Sequence, residues 1–189
     1  MPLTNTAQRW GHVSQALHWI VVGLIAWLAW LGLTMTDLPL GPQKIHTYAL
    51  HKSLGLTVLA LATLRLLWRW FTGKPSALGG IAPWQQRVAD LTYGLLYALL
   101  FAMPLSGWLF NSASGFPLQW FGLFNLPALA GKDKALATLA WDTHEILFWS
   151  LAVLVALHVA AALHHHFVLK DDTLRSMLPR RTPVKEPTP

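Results

Sequence analysis

An all-α fold, an integral membrane bundle of four helices, is predicted by three features of the 189-residue sequence. The chain is 54% hydrophobic and only 12% charged, whereas a soluble domain carries about 25% charged residues. Four apolar stretches reach the length of about 20 residues that an α-helix needs to cross a bilayer. Proline and glycine separate these stretches. We expect one transmembrane domain over residues 1–178 and a disordered, proline-rich tail over residues 179–189.

The four spans are predicted at about residues 16–35, 48–70, 88–110 and 143–168. Residues 37–42, 73–83 and a long loop of mixed polarity separate them, and residues 132–141 favour an outward helical extension of the fourth span. The first apolar run is too long for a signal peptide and no small-residue cleavage site follows it. We therefore expect it to remain as a helix.

The distribution of lysine and arginine predicts an orientation. With both termini on one side, that side carries ten of the 14 basic residues and the other side carries four, while the eight acids divide equally. Cytoplasmic loops carry the excess of basic residues in membrane proteins. The pattern predicts a membrane protein with both termini in the cytoplasm. The net charge of +6 then reflects topology, and no nucleic-acid partner is expected.

The sequence contains no cysteine. This excludes disulfides, thiolate-bound iron–sulfur clusters and the covalent attachment motif of c-type haem. A redox cofactor in this chain would therefore be bound non-covalently.

Four histidines lie within the predicted spans, where ionisable residues are rare and usually functional. His18 lies near the inner surface, and His51 and His144 lie near the outer surface. His158 follows His144 by 14 residues, which is about 21 Å along a helix and about 40° around it. His144 and His158 therefore share one face at two depths. The spacing predicts two bis-histidine haem b sites, with the pairs His51/His144 and His18/His158 as axial ligands.

Other residues fit these sites. Gly55 follows His51 by one turn and leaves room for a porphyrin, and Gly107 in the third span suggests the same. Arg65 and Arg69 share the face of His51 near the inner surface, where guanidinium groups would pair with anionic haem propionates. Two simpler interpretations stay open: the arginines extend to the membrane surface as topology determinants, and a buried histidine only bridges helices by hydrogen bonds.

Several motifs resemble the bacterial cytochrome b561 family over about residues 10–181. They are QALHW at 15–19, LHKSLG at 50–55, RLLWR at 65–69, MPLSG at 103–107, HE at 144–145, HVAAALHH at 158–165 and KDDTLR at 170–175. The resemblance implies a four-helix bundle with two haems b on His18, His51, His144 and His158. It also implies electron exchange with ubiquinone, superoxide as a donor, and quinone contacts at the positions of His165 and Lys170.

The leading hypothesis is a membrane cytochrome that transfers electrons between a periplasmic one-electron donor and quinone, as a single chain or a homodimer. An alternative is a cytochrome b subunit that anchors a partner dehydrogenase or hydrogenase. A third hypothesis, a divalent-metal transporter without haem, uses the same histidines and the run His164–His166, but the spans contain few carboxylates.

Overall fold

Four long helices dominate the computed structural model, which describes residues 3–7, 9–75 and 82–179. They are α1 (His12–Met35), α2 (Pro42–Thr72), α3 (Pro83–Ala113) and α4 (Lys134–His164). Each is long and apolar enough to cross a membrane, α4 together with the helical turn that follows it to Leu169. The predicted all-α, four-helix membrane fold is confirmed.

The helices extend beyond the apolar runs that predicted them. Pro42 and Pro83, which we interpreted as breaks between spans, instead occupy the first turns of α2 and α3. Proline is tolerated there because the first backbone N–H groups of a helix have no partner within the helix. α4 begins at Lys134, where the Asp133 carboxylate accepts a hydrogen bond from Leu136 N at 3.0 Å. Hydropathy thus located the four helices but not their polar ends.

A short β-hairpin lies in the loop between α3 and α4, where no regular structure was predicted. Strands β1 (Leu118–Trp120) and β2 (Phe124–Leu126) pair antiparallel. The turn between them has positive φ at Phe121 (47°) and Gly122 (73°). Phenylalanine rarely adopts that conformation, and the strands have only three residues each, so the sequence signal was weak. The Phe121 amide donates to Ser53 Oγ at 3.0 Å and fixes the hairpin to α2.

The helices pack in chain order, α1 on α2, α2 on α3, and α3 on α4. A small apolar core of Val21, Val58, Ala62 and Leu100 joins the first three helices. In the described part of the chain, α4 makes at most isolated backbone contacts with α1 and α2. Closely packed helices lie about 8–10 Å apart. A cleft therefore separates α4 from α1 and α2.

Large apolar side chains are exposed on all four helices, including Trp27, Leu64, Leu91 and Leu157. Such surfaces are stable in lipid, which is as apolar as the side chains themselves. The chain is a membrane protein that lies in a lipid bilayer.

The bundle has two distinct ends. We call the end at which α1 and α3 begin and α2 and α4 end the basic end. There Asn5 Nδ2 donates to Thr72 Oγ1 at 2.8 Å. We call the opposite end, which carries the β-hairpin, the hairpin end. There Asp133 N donates to Ala113 O at 2.9 Å.

Beyond α4 the chain reverses direction and lies against the start of α1. A π-helical turn, His165–Leu169, leads to Lys170, which has a left-handed backbone (φ 54°). We call residues 170–179 the C-terminal segment. Its backbone carbonyls accept hydrogen bonds from Arg9, Gln15 and Trp19 at 2.8–3.0 Å. Residues 180–189, most of the predicted disordered tail, lie outside the described residues.

Candidate functional site

Two of the four span histidines meet across the cleft near the basic end. His18 on α1 and His158 on α4 have ring centroids 6.5 Å apart, with ring planes at 78°. Both side chains are partly buried. These are the residues that depth and helix face predicted as the inner pair.

The other two meet near the hairpin end. His51 on α2 and His144 on α4 have ring centroids 6.4 Å apart, with ring planes at 74°. α4 thus contributes one ring to each pair, and α1 and α2 contribute one each. α3 contributes no histidine to either pair.

The centroid distances distinguish metal ligation from direct hydrogen bonding. A metal–imidazole bond is about 2.0 Å long, so two rings on opposite sides of one ion have centroids about 6.3 Å apart. Two imidazoles joined by a hydrogen bond of about 2.9 Å have centroids about 5.1 Å apart. The observed 6.5 and 6.4 Å leave room for a metal ion between the two rings of each pair. A direct hydrogen bond between the two rings of a pair does not fit these distances.

The cleft also has room beside the rings. A Cβ atom added at Gly55 would meet no atom within 4 Å. Gly32 on α1 was not predicted to matter, yet a Cβ there would lie 3.4 Å from His51 Cε1. The sequence offered no signal for this contact because it joins two helices.

Arg65 and Arg69 lie beside the basic-end pair, against aromatic rings of α3. The Arg65 guanidinium carbon is 5.8 Å from the Tyr97 ring centroid, and that of Arg69 is 5.7 Å from Tyr93 and 5.8 Å from Tyr97. The Tyr93 ring is in turn 6.2 Å from that of His158. Neither arginine forms an ion pair with an acid in the described ranges. Both guanidinium groups are therefore available to an anionic group in the cleft.

The His144 ring is held by α3. Its Nδ1 lies 3.0 Å from the Met103 carbonyl oxygen and 2.9 Å from Ser106 Oγ. A Cβ at Gly107 would lie 3.1 Å from His144 Cε1. Gly107 therefore makes room for the His144 ring.

His165 and Lys170 lie beyond α4 at the basic end. His165 Nδ1 is 2.5 Å from Asp171 Oδ2, and Thr173 N donates to Asp171 Oδ1 at 2.9 Å. Partial burial raises the pKa of Asp171, but the hydrogen bonds from His165 and Thr173 outweigh it and hold that pKa below its usual value. Lys170 is exposed. The partner of His165 was not predicted from sequence, since the backbone reversal at Lys170 brings it into place.

Lys52 is half-buried next to His51. Its Nζ donates to Asn111 Oδ1 at 3.1 Å, and no acid among the described residues forms an ion pair with it.

Within the described ranges, no group of three or more His, Asp or Glu side chains is arranged to hold a metal ion. This includes the His164–His166 run of the transporter hypothesis.

Comparisons with known proteins identify the family of the chain. The family model for prokaryotic cytochrome b561 matches residues 9–180. The chain is 38% identical to cytochrome b561 homolog 2 of Escherichia coli K12 over 94% of this chain and 95% of the relative. It is 31% identical to cytochrome b561 homolog 1 of the same organism, over 87% and 94%. It is 27% identical to the probable superoxide oxidase CybB of Yersinia pestis, over 87% and 93%. The chain therefore belongs to the prokaryotic cytochrome b561 family of haem b-binding membrane proteins that transfer electrons.

Proposed function

We propose that the chain binds two haems b and transfers electrons across the bacterial inner membrane from a periplasmic one-electron donor to ubiquinone. The observation that carries the proposal is the pair of facing histidine couples, with centroids 6.5 and 6.4 Å apart. α4 contributes one member of each couple, and these two residues, His144 and His158, are 14 residues apart in the chain, which gives one site near each membrane surface.

The side chains have separate roles in this proposal. His18 and His158 would hold the iron of the basic-end haem, and His51 and His144 would hold the iron of the hairpin-end haem. Arg65 and Arg69 bind the propionates of the basic-end haem, and the open space at Gly55 admits a porphyrin edge. When bound, haem supplies an iron that gains and loses one electron at a time.

The proposed orientation places the basic end in the cytoplasm. Ten of the 14 basic residues are assigned to that side by the predicted topology, and an excess of lysine and arginine marks the cytoplasmic side of membrane proteins. The hairpin end then faces the periplasm and receives the donor.

Superoxide is the donor that we propose first. The similarity to a probable superoxide oxidase supports it, as does the half-buried cation of Lys52 beside His51, which no described acid neutralises. Positive potential at a site accelerates the arrival of an anion. Two superoxide anions each lose one electron to become O2, and two electrons with two protons reduce one quinone to quinol. His165 and Lys170 are proposed to lie near that quinone at the basic end.

Stopped-flow spectroscopy tests the donor. The purified, oxidised cytochrome is mixed with superoxide, and haem reduction is followed optically with and without superoxide dismutase. We expect rapid reduction that the dismutase abolishes, slower reduction in Lys52→Gln, and reoxidation by added ubiquinone. No reduction by superoxide would exclude this donor. Stable co-purification with a large soluble dehydrogenase would favour the anchoring alternative.

A further inference from the structure

We propose that three residues of α3 position His144 and give the hairpin-end haem a lower midpoint potential than the basic-end haem. These residues, Met103, Ser106 and Gly107, are called the His144-binding segment below. The inference rests on the proposed function and adds the direction of electron flow, from the hairpin end to the basic end.

Hydrogen bonding at His144 selects one tautomer of its ring. Ser106 Oγ donates its proton to the Met103 carbonyl at 2.8 Å, so both groups next to His144 Nδ1, at 2.9 and 3.0 Å, act as acceptors. Nδ1 must therefore carry the proton, since a neutral imidazole has one donor and one acceptor nitrogen. Nε2 is left with a free lone pair, which is the form that binds a metal ion.

Gly107 fixes how closely the ring approaches α3. A Cβ at this position would lie 3.1 Å from His144 Cε1 and 3.4 Å from Nδ1, so any side chain would displace the ring by a few tenths of an ångström. The hydrogen bonds at Nδ1 depend on this close approach. Ser106 is itself buried, with 8% of its surface exposed, so water does not compete for the Nδ1 proton.

The ligands at the basic end lack this support. His18 Nδ1 is buried without a hydrogen-bond partner in the described ranges, and no described group hydrogen-bonds to the ring of His158. At the hairpin end, His51 Nδ1 also lacks a partner among the described residues, so the difference between the two ends rests on His144. A hydrogen bond from Nδ1 raises the basicity of a ligating imidazole, which stabilises the oxidised, more positive iron. This contact therefore lowers the potential at the hairpin end only.

Nearby charges also favour a higher midpoint potential at the basic end than at the hairpin end. The guanidinium of Arg69 is 5.7 Å from the ring of Tyr93, which is 6.2 Å from the ring of His158. The guanidinium of Arg65 is 5.8 Å from the ring of Tyr97, which Arg69 also contacts. Positive charge favours the reduced, less positive iron and raises the potential at the basic end. Lys52 raises the potential at the hairpin end and so opposes the difference in potential between the two haems. It is one cation, however, against the two arginines at the basic end.

Spectroelectrochemical titration of the purified holoprotein tests the inference. The wild type is expected to titrate as two components. Ser106→Ala and Gly107→Ala should move the lower component to a more positive potential and leave the higher one unchanged. Ser150→Ala, whose hydroxyl bonds within α4, and Gly94→Ala, where a Cβ meets no atom within 4 Å, are matched controls that should move neither.

The outcomes separate the inference from the function on which it rests. If the wild type holds two haems and both variants leave the lower component unmoved, or move the higher one instead, the inference is wrong. If the wild type holds fewer than two haems, the proposed function itself is wrong. Electron paramagnetic resonance of the oxidised protein gives a second reading, because a displaced His144 ring should change one of the two low-spin signals.

Discussion

At the scale of single residues, the four span histidines were predictable and their supporting contacts were not. The positions of His144 and His158 on one helix face follow from the rise and rotation of an α-helix. The partners of His144 on α3 and the approach of Gly32 to His51 depend instead on how two helices pack. One sequence contains no record of that packing, so Met103, Ser106 and Gly32 were not identified as site residues.

Replacing a single ligand should remove a single haem. We expect His158→Ala to lose the basic-end haem and keep the other, because only His18 would remain as a ligand there. Pigment analysis of the purified variant should give half the haem per chain of the wild type. The exposed His46 on α2 provides a control, and His46→Ala should keep the full content. Retention of both haems in His158→Ala would show that the ligand pairing is wrong.

The charge of Arg65 should raise the midpoint potential of the basic-end haem, whereas Ser106 is proposed to lower that of the hairpin-end haem. Removing its charge in Arg65→Gln should make the higher-potential component more negative, since a nearby cation favours the reduced iron. A redox titration measures this shift. Arg87→Gln, an exposed position at the start of α3, should leave both potentials unchanged. An unchanged or more positive upper component in Arg65→Gln would contradict the proposed role.

At the scale of elements, hydropathy predicted the four helices because burial in lipid requires long apolar runs. It did not predict the polar ends of α2 and α3, the β-hairpin, or the C-terminal segment. The β-hairpin and the C-terminal segment are held by hydrogen bonds between residues far apart in the chain, such as Phe121 N to Ser53 Oγ at 3.0 Å and Gln15 Nε2 to Ser176 O at 3.0 Å. Such bonds leave no periodic pattern in the sequence.

Gln15 should be needed to hold the C-terminal segment against α1. It is 6% exposed, and its Nε2 donates to Trp10 O at 3.2 Å and to Ser176 O at 3.0 Å. Gln15→Leu leaves both carbonyls without this donor, at a cost of about 1–3 kcal/mol for a buried group. We expect faster tryptic cleavage at Lys170 and Arg175 and a lower melting temperature.

A second glutamine provides the control for that experiment. Gln43 is exposed at the start of α2, so Gln43→Leu should be cleaved at the wild-type rate. Equal cleavage rates in Gln15→Leu and the wild type would mean that the C-terminal segment is held by other contacts.

At the scale of the whole molecule, the charge distribution predicts a fixed orientation that cysteine labelling can test. The natural chain has no cysteine, so a single introduced thiol reports its own location. In right-side-out membrane vesicles, an impermeant maleimide should label Lys132→Cys at the hairpin end and spare Asp172→Cys at the basic end. Both positions are exposed. The reverse pattern would contradict the proposed topology and the periplasmic donor site.

The central claim is that one chain holds two haems b between its histidine pairs. The most direct measurement is the number of haems per chain, from the pyridine haemochrome spectrum of the purified protein and quantitative amino-acid analysis. The account predicts two non-covalent b-type haems per chain, because two couples have the centroid distances of bis-histidine sites. A saturating value of one haem per chain, or none, would contradict it.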